Sequence, residues 1–160
     1  MIMGKKVRCK MYTVGFMFHQ CKYVNGIKSV LQDFSWWFDL VINIACKADT
    51  FEIRCWPGES EAIATGRRFG KQLKNFETNE LVFKGPISEA FLKHICEDGF
   101  DDDGALKWFT LNFYKGEELI FHSGHYGTEP YIFLKTEEEV QRLEEWSKKY
   151  PVISRVDIYS

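Results

Sequence analysis

No stretch of this 160-residue chain approaches the roughly 18 consecutive apolar residues of a membrane-spanning helix. The longest candidate, residues 34–46, is broken by Ser35, Asp39 and Asn43. The basic positions Lys5, Lys6, Arg8 and Lys10 are followed by an apolar run that Thr13, Gly15 and His19 interrupt, so export by a conventional signal is not expected. Cys-x-x-Cys is also absent. The five cysteines, Cys9, Cys21, Cys46, Cys55 and Cys96, are odd in number and lack metal-ligand spacing, so neither a disulfide framework nor a zinc ribbon is indicated. They read as buried thiols in a reducing cytoplasm. Missing too are the Gly-x-Ser-x-Gly elbow, the His-Glu-x-x-His zincin pattern and a P-loop, because Gly66-Arg67-Arg68-Phe69-Gly70-Lys71 is too short for the last.

Hydrophobic residues at 45% and charged residues at 28% are ordinary for a folded domain, which excludes disorder, collagen-like repeats and coiled coil. The aromatic share of 16% is the unusual figure. Each such side chain buries about 150–250 Å², enough for aromatics to supply much of the core and a binding surface. The length fits one domain, 1–160, and no repeat or linker divides it.

Local pattern predicts mixed structure. A first strand is expected over 7–18, with a polar exit containing Asn25-Gly26. Residues 27–38 are ambiguous between a short helix, from the spacing of Ile27, Val30, Leu31, Phe34, Trp37 and Phe38, and an aromatic strand. Residues 40–46 and 50–56 read as a hairpin, with Phe51, Ile53 and Cys55 on one face of its second strand. Residues 59–80 are expected as part strand and part loop. A strand over 81–84 precedes a helix opened by Pro86, Ser88 and Glu89. Three antiparallel strands follow over 106–114, 119–123 and 131–134, the first with an amphipathic outer face bearing Trp108 and Tyr114. Thr136 and Glu139 then form a capping box, and residues 152–159 return as a strand. The fold expected is α+β: a twisted, mainly antiparallel sheet with two or three helices mostly on one face, its open face partly Trp and Tyr.

The formal net charge of −2 conceals a division along the chain. Residues 1–76 carry 12 basic and 6 acidic side chains, residues 77–145 carry 6 and 16, and residues 146–160 carry 3 and 1. Glu97, Asp98, Asp101, Asp102 and Asp103 are the densest cluster, with no base among them. Such a loop is solvated, binds a hard cation, or faces a basic protein partner such as a nuclease. Calcium in EF-hand form is not met, since the three aspartates are adjacent and the sixth residue after Gly104 is Thr110.

His122 and His125, with Glu129 downstream, are the only closely spaced histidines and form a candidate metal site for hydrolysis; the bland alternative is two turn histidines beside Tyr126. Arg67, Arg68, Lys71 and Lys74, with Phe69 and Phe76, form a basic and aromatic segment. Four charges are a modest footprint for nucleic acid in a chain of pI about 6.1, so direct nucleic-acid binding is not expected and pairing with the acidic half, internally or in a dimer, is the alternative.

Residues 108–114 (Trp-Phe-Thr-Leu-Asn-Phe-Tyr), residues 119–127 through His122 and Tyr126, and the helix from Glu137 together resemble immunity proteins of bacterial contact-dependent inhibition and other polymorphic toxin systems. The resemblance covers about the last third of the chain. It implies a non-enzyme without a cofactor that binds one cognate protein toxin, in many such systems a nuclease, with high affinity; a cytoplasmic location and no contact with nucleic acid or membrane are expected from the charge and hydropathy above. Its expected contacts are Glu97, Asp98, Asp101, Asp102 and Asp103, with Trp108 or Tyr126 as aromatic anchors.

Overall fold

The structure is a computed structural model and describes residues 9–160. The expected strand from Val7 begins at Tyr12; Val7, Arg8, Lys5 and Lys6 lie outside the described residues. The chain is α+β, with four helices rather than two or three among the described residues. Strand β1 (Tyr12–Phe18) leads to a small hairpin of β2 (Lys22–Val24) and β3 (Lys28–Val30). Asn25 and Gly26 turn that hairpin at φ 54° and 69°, as a tight Asn-Gly turn requires.

Helix α1 (Ser35–Ala45) replaces the strand expected over 40–46. Trp36, Trp37, Leu40, Val41 and Ile44 are buried at three-four spacing, and that period outweighs the local alternation after Leu40. Asp33 starts the helix by accepting the Ser35 N–H at 2.9 Å. Strand β4 (Thr50–Cys55) therefore pairs with later strands instead of its predecessor.

Helix α2 (Ser60–Phe69) and strand β5 (Lys71–Leu73) follow, where no helix was expected. The buried side of α2 is Ala62, Thr65 and Gly66, too small to produce a bulky apolar period. Small residues let the helix lie against strand β6 (Leu81–Pro86): a Cβ at Gly66 would sit 2.3 Å from Phe83 Cγ.

Helix α3 (Glu89–Glu97) starts as expected, with the Ser88 hydroxyl accepting the Phe91 N–H at 3.1 Å. Strands β7 (Thr110–Lys115), β8 (Glu118–Gly124) and β9 (Glu129–Leu134) form the expected meander. Helix α4 (Glu137–Ser147) has the Thr136–Glu139 capping box, and β10 (Ile153–Tyr159) closes the chain.

Eight strands form one antiparallel sheet in the order β10-β1-β9-β8-β7-β4-β6-β5. Phe51, Phe113, Phe121, Ile132 and Val14 occupy one cross-strand row on its inner face. All four helices pack there. Phe91 of α3 stacks on Phe51 at 4.0 Å between centroids, Trp36 of α1 and Trp146 of α4 meet Phe16, and α2 covers Phe83. Trp37 donates its indole N–H to the buried Ser123 hydroxyl at 2.8 Å, so even this polar group is satisfied inside the core. No helix among the described residues is long and apolar enough to cross a membrane.

Candidate functional site

The acidic cluster is a structured end of the molecule. Asp98 caps α3, and the chain then turns tightly through residues 99–104. Asp101 organises this turn: one carboxylate oxygen accepts the N–H groups of Asp103 and Ala105 at 2.9 and 3.1 Å, and the other binds the Lys28 ammonium. Asn25 donates to Asp103 at 3.3 Å, so the β2–β3 hairpin is fastened to the acidic loop at two points. Burial pulls the Lys28 pKa down, but the bond to Asp101 and the charges of Asp101, Asp103 and Glu59 outweigh it and leave the pKa raised.

Lys107 repeats the arrangement on the other side. Its buried ammonium lies 2.8 Å from Asp98 and 3.2 Å from Glu61. Desolvation again opposes the charge, and the bonds to Asp98 and Glu61 reverse the balance, so its pKa is raised. The bond to Lys107 holds the Asp98 carboxyl below its ordinary value. The cluster thus has two compensating bases, contributed by β3 and by the segment entering β7. Glu97, Asp102 and Asp103 remain exposed.

The two expected aromatic anchors are not at the surface. Trp108 is fully buried, because β7 starts only at Thr110 and residues 105–108 pass through the core. Tyr126 is 2% exposed; it donates its hydroxyl to Glu59 at 2.7 Å and packs edge-on against Phe109. Burial first, and then Glu59, push its phenol pKa up. Tyr126 and His125 both sit at positive φ, 59° and 51°, a strained pair held by this packing.

The exposed apolar groups at this end are different ones. Phe100, inside the acidic sequence, is 45% exposed while resting on Phe34 and Phe38. Ile27, at the hairpin tip tied to the loop, is 65% exposed. The sequence signal for Phe100 is an aromatic flanked by the carboxylates Asp98 and Asp101.

The open face of the sheet mixes polar and aromatic side chains: Tyr114, Tyr131 and Tyr159 lie on it, in keeping with the expectation of a partly Trp and Tyr face, whereas Trp108 does not. Lys71, Lys84, Glu52, Asn112, His122, Tyr131, Gly15 and Asp157 stand opposite one another across all eight strands. In its middle the buried Glu52 accepts Arg54 Nε at 2.9 Å and Asn112 Nδ2 at 3.0 Å. Because the Asn112 amide nitrogen is committed to Glu52, its Oδ1 faces His122 Nδ1 at 2.7 Å and assigns the proton there. Burial, with help from Arg54, lowers the His122 pKa against the opposing pull of Glu129 and Glu52.

The metal reading gains no geometry. The Nδ1 atoms of His122 and His125 are engaged by Asn112 and by Ser29, the latter at 2.9 Å. Among the described residues no group of three or more His, Cys, Asp or Glu is arranged to hold a metal ion.

Within the chain, among the described residues, the basic segment does not pair with the acidic half. Arg67, Arg68, Lys71 and Lys74 are exposed, and among the described residues none makes an ion pair; Arg68 lies over the Phe69 ring and Phe76 is 91% exposed. The cysteines meet the expectation of buried thiols only in part. Cys55 is buried, with its thiol pushed up to about 12 by desolvation, whereas Cys9, Cys21 and Cys46 are exposed. No family model, curated protein or solved structure matches the chain.

Proposed function

We propose that the chain is a protein-binding inhibitor whose acidic end docks on the basic active site of a partner protein. The reading rests on one observation: Phe100 stands exposed in sequence between Glu97 and the exposed Asp102 and Asp103, on a loop fixed by the Lys28–Asp101 and Lys107–Asp98 pairs, and Ile27 is exposed on the hairpin that Lys28 fastens to that loop. An apolar centre with a charged rim is how tight interfaces are composed, and a loop already fixed loses little entropy on docking. Exposed carboxylates speed encounter with a basic site and repel nucleic acid competing for it.

The resemblance to immunity proteins fits this reading, with a cytoplasmic toxin such as a nuclease as the partner. The alternative, a metal-assisted hydrolase built on His122, His125 and Glu129, lacks a supporting arrangement. A pull-down with the products of neighbouring genes as prey tests the proposal. It predicts a stoichiometric complex that forms more slowly as salt rises; capture of no neighbouring product, or a complex indifferent to salt, contradicts it.

A further inference from the structure

The two edges of the main sheet are built differently. At one edge β5 has three residues, Lys71-Gln72-Leu73, followed by Lys74. Short length and lysine are how natural sheets discourage edge pairing. At the other edge β10 runs seven residues, Ile153-Ser154-Arg155-Val156-Asp157-Ile158-Tyr159, without lysine or proline. Its only strand neighbour among the described residues is β1, and Ile158 and Tyr159 are exposed. The outer side of such a strand presents backbone donors and acceptors ready for another strand.

The side chains specify which strand fits. Arg155 and Asp157 lie on the open face and are joined to each other at 2.7 and 3.1 Å. If a second β10 runs antiparallel with a two-fold axis through Val156, Arg155 of each copy faces Asp157 of the other. Beyond Arg155 the strand is irregular, because Phe18 of β1 pairs with Ile153 and Ser154 is left unmatched, so the regular pairing is the stretch 155–157 centred on Val156. Moving the axis one residue either way sets Asp157 against Asp157 or Arg155 against Arg155, and like charges directly opposite are destabilising. The charge pattern is therefore self-complementary in one register, which is the requirement for an isologous interface.

We propose that β10 is a homodimerisation strand that joins two copies edge to edge about Val156 and extends the eight-stranded sheet of each into the other. This surface uses none of the acidic-end residues, so it stands or falls apart from the inhibitor reading.

Sedimentation of the full chain over a range of concentrations tests it, with far-UV circular dichroism as a check on folding. The unsubstituted chain should dimerise. R155D and D157R should each weaken the dimer about tenfold or more by placing like charges opposite one another, and the double variant R155D/D157R should restore it. I158K, which sets a lysine against the joining edge, should weaken the dimer independently of the charge pair. A chain monomeric at every concentration overturns the proposal. So does a dimer that neither the single reversals nor I158K weakens, or single-variant losses that the double variant does not recover.

Discussion

Lys28 on β3 reaches the Asp101 carboxylate, 73 residues further along the chain. The same carboxylate accepts two backbone N–H groups of its own turn, so one side chain shapes the acidic loop and fastens it to the β2–β3 hairpin. The exposed carboxylates and Phe100 are positioned by this junction.

Asp101 should accordingly matter more to stability than its ion-pair partner does. K28M removes one half-exposed charge and should cost about 1 kcal/mol, whereas D101A also abandons two backbone donors and a partly buried ammonium and should cost about 2–3 kcal/mol. Urea unfolding midpoints measure both. Equal losses would mean that the turn does not depend on Asp101.

His122 makes the stability depend on pH in a stated direction. Burial holds its folded pKa below the ordinary imidazole value of 6.5, so the unfolded chain binds the proton more readily. The His122 contribution is complete above pH 6.5, declines as pH falls below it, and levels off beneath the folded pKa. H122N should flatten that part of the stability profile. Imidazole nitrogen shifts at neutral pH should also report a proton on Nδ1 and a bare Nε2; the opposite tautomer would contradict the Glu52–Asn112–His122 chain of bonds.

Gly66 sets how closely α2 approaches the sheet. A methyl group there would meet Phe83 Cγ at 2.3 Å, its Cδ2 at 2.5 Å and its Cβ at 2.8 Å. G66A should therefore destabilise by about 2 kcal/mol or more, although alanine is the better helix former. A neutral or stabilising effect in a thermal melt would show that the ring gives way without cost.

Phe100 should contribute to holding a partner more than to meeting it. F100A removes about half of an exposed-side contact and should cost the free chain about 1 kcal/mol through Phe34 and Phe38. In the complex it should raise the dissociation rate and leave the salt dependence of association unchanged. An unchanged dissociation rate would remove Phe100 from the contact surface.

The legible parts of the sequence were those whose signals are local. The Ser88 cap, the Thr136–Glu139 box and the β7–β8–β9 meander follow from short-range capping and alternation, and they stand where they were expected except that β7 begins at Thr110 and not at residue 106. Helix α2 was hidden because it contacts the sheet through Ala62, Thr65 and Gly66, whose small size is meaningful only beside Phe83. Helix α1 was half visible: its period is clear from Trp36 to Ile44 only when the window spans the whole segment. The acidic cluster was legible as composition, whereas its neutralisation by Lys28 and Lys107 depends on contacts between distant segments. Trp108 illustrates the same limit, since residue type marks an aromatic anchor and only the entry of β7 decides that this one is buried.

The most direct test of the acidic-end proposal is the association rate of the purified chain with its captured partner, measured at low and high salt for the unsubstituted chain and for D102K/D103K. Both residues are exposed, and the substitutions leave the residues of the Lys28–Asp101 and Lys107–Asp98 pairs in place, removing only the Asn25 bond to Asp103. The account predicts association about tenfold slower at low salt, with a shallower dependence on salt. Identical rates and salt dependence for the two proteins would contradict it.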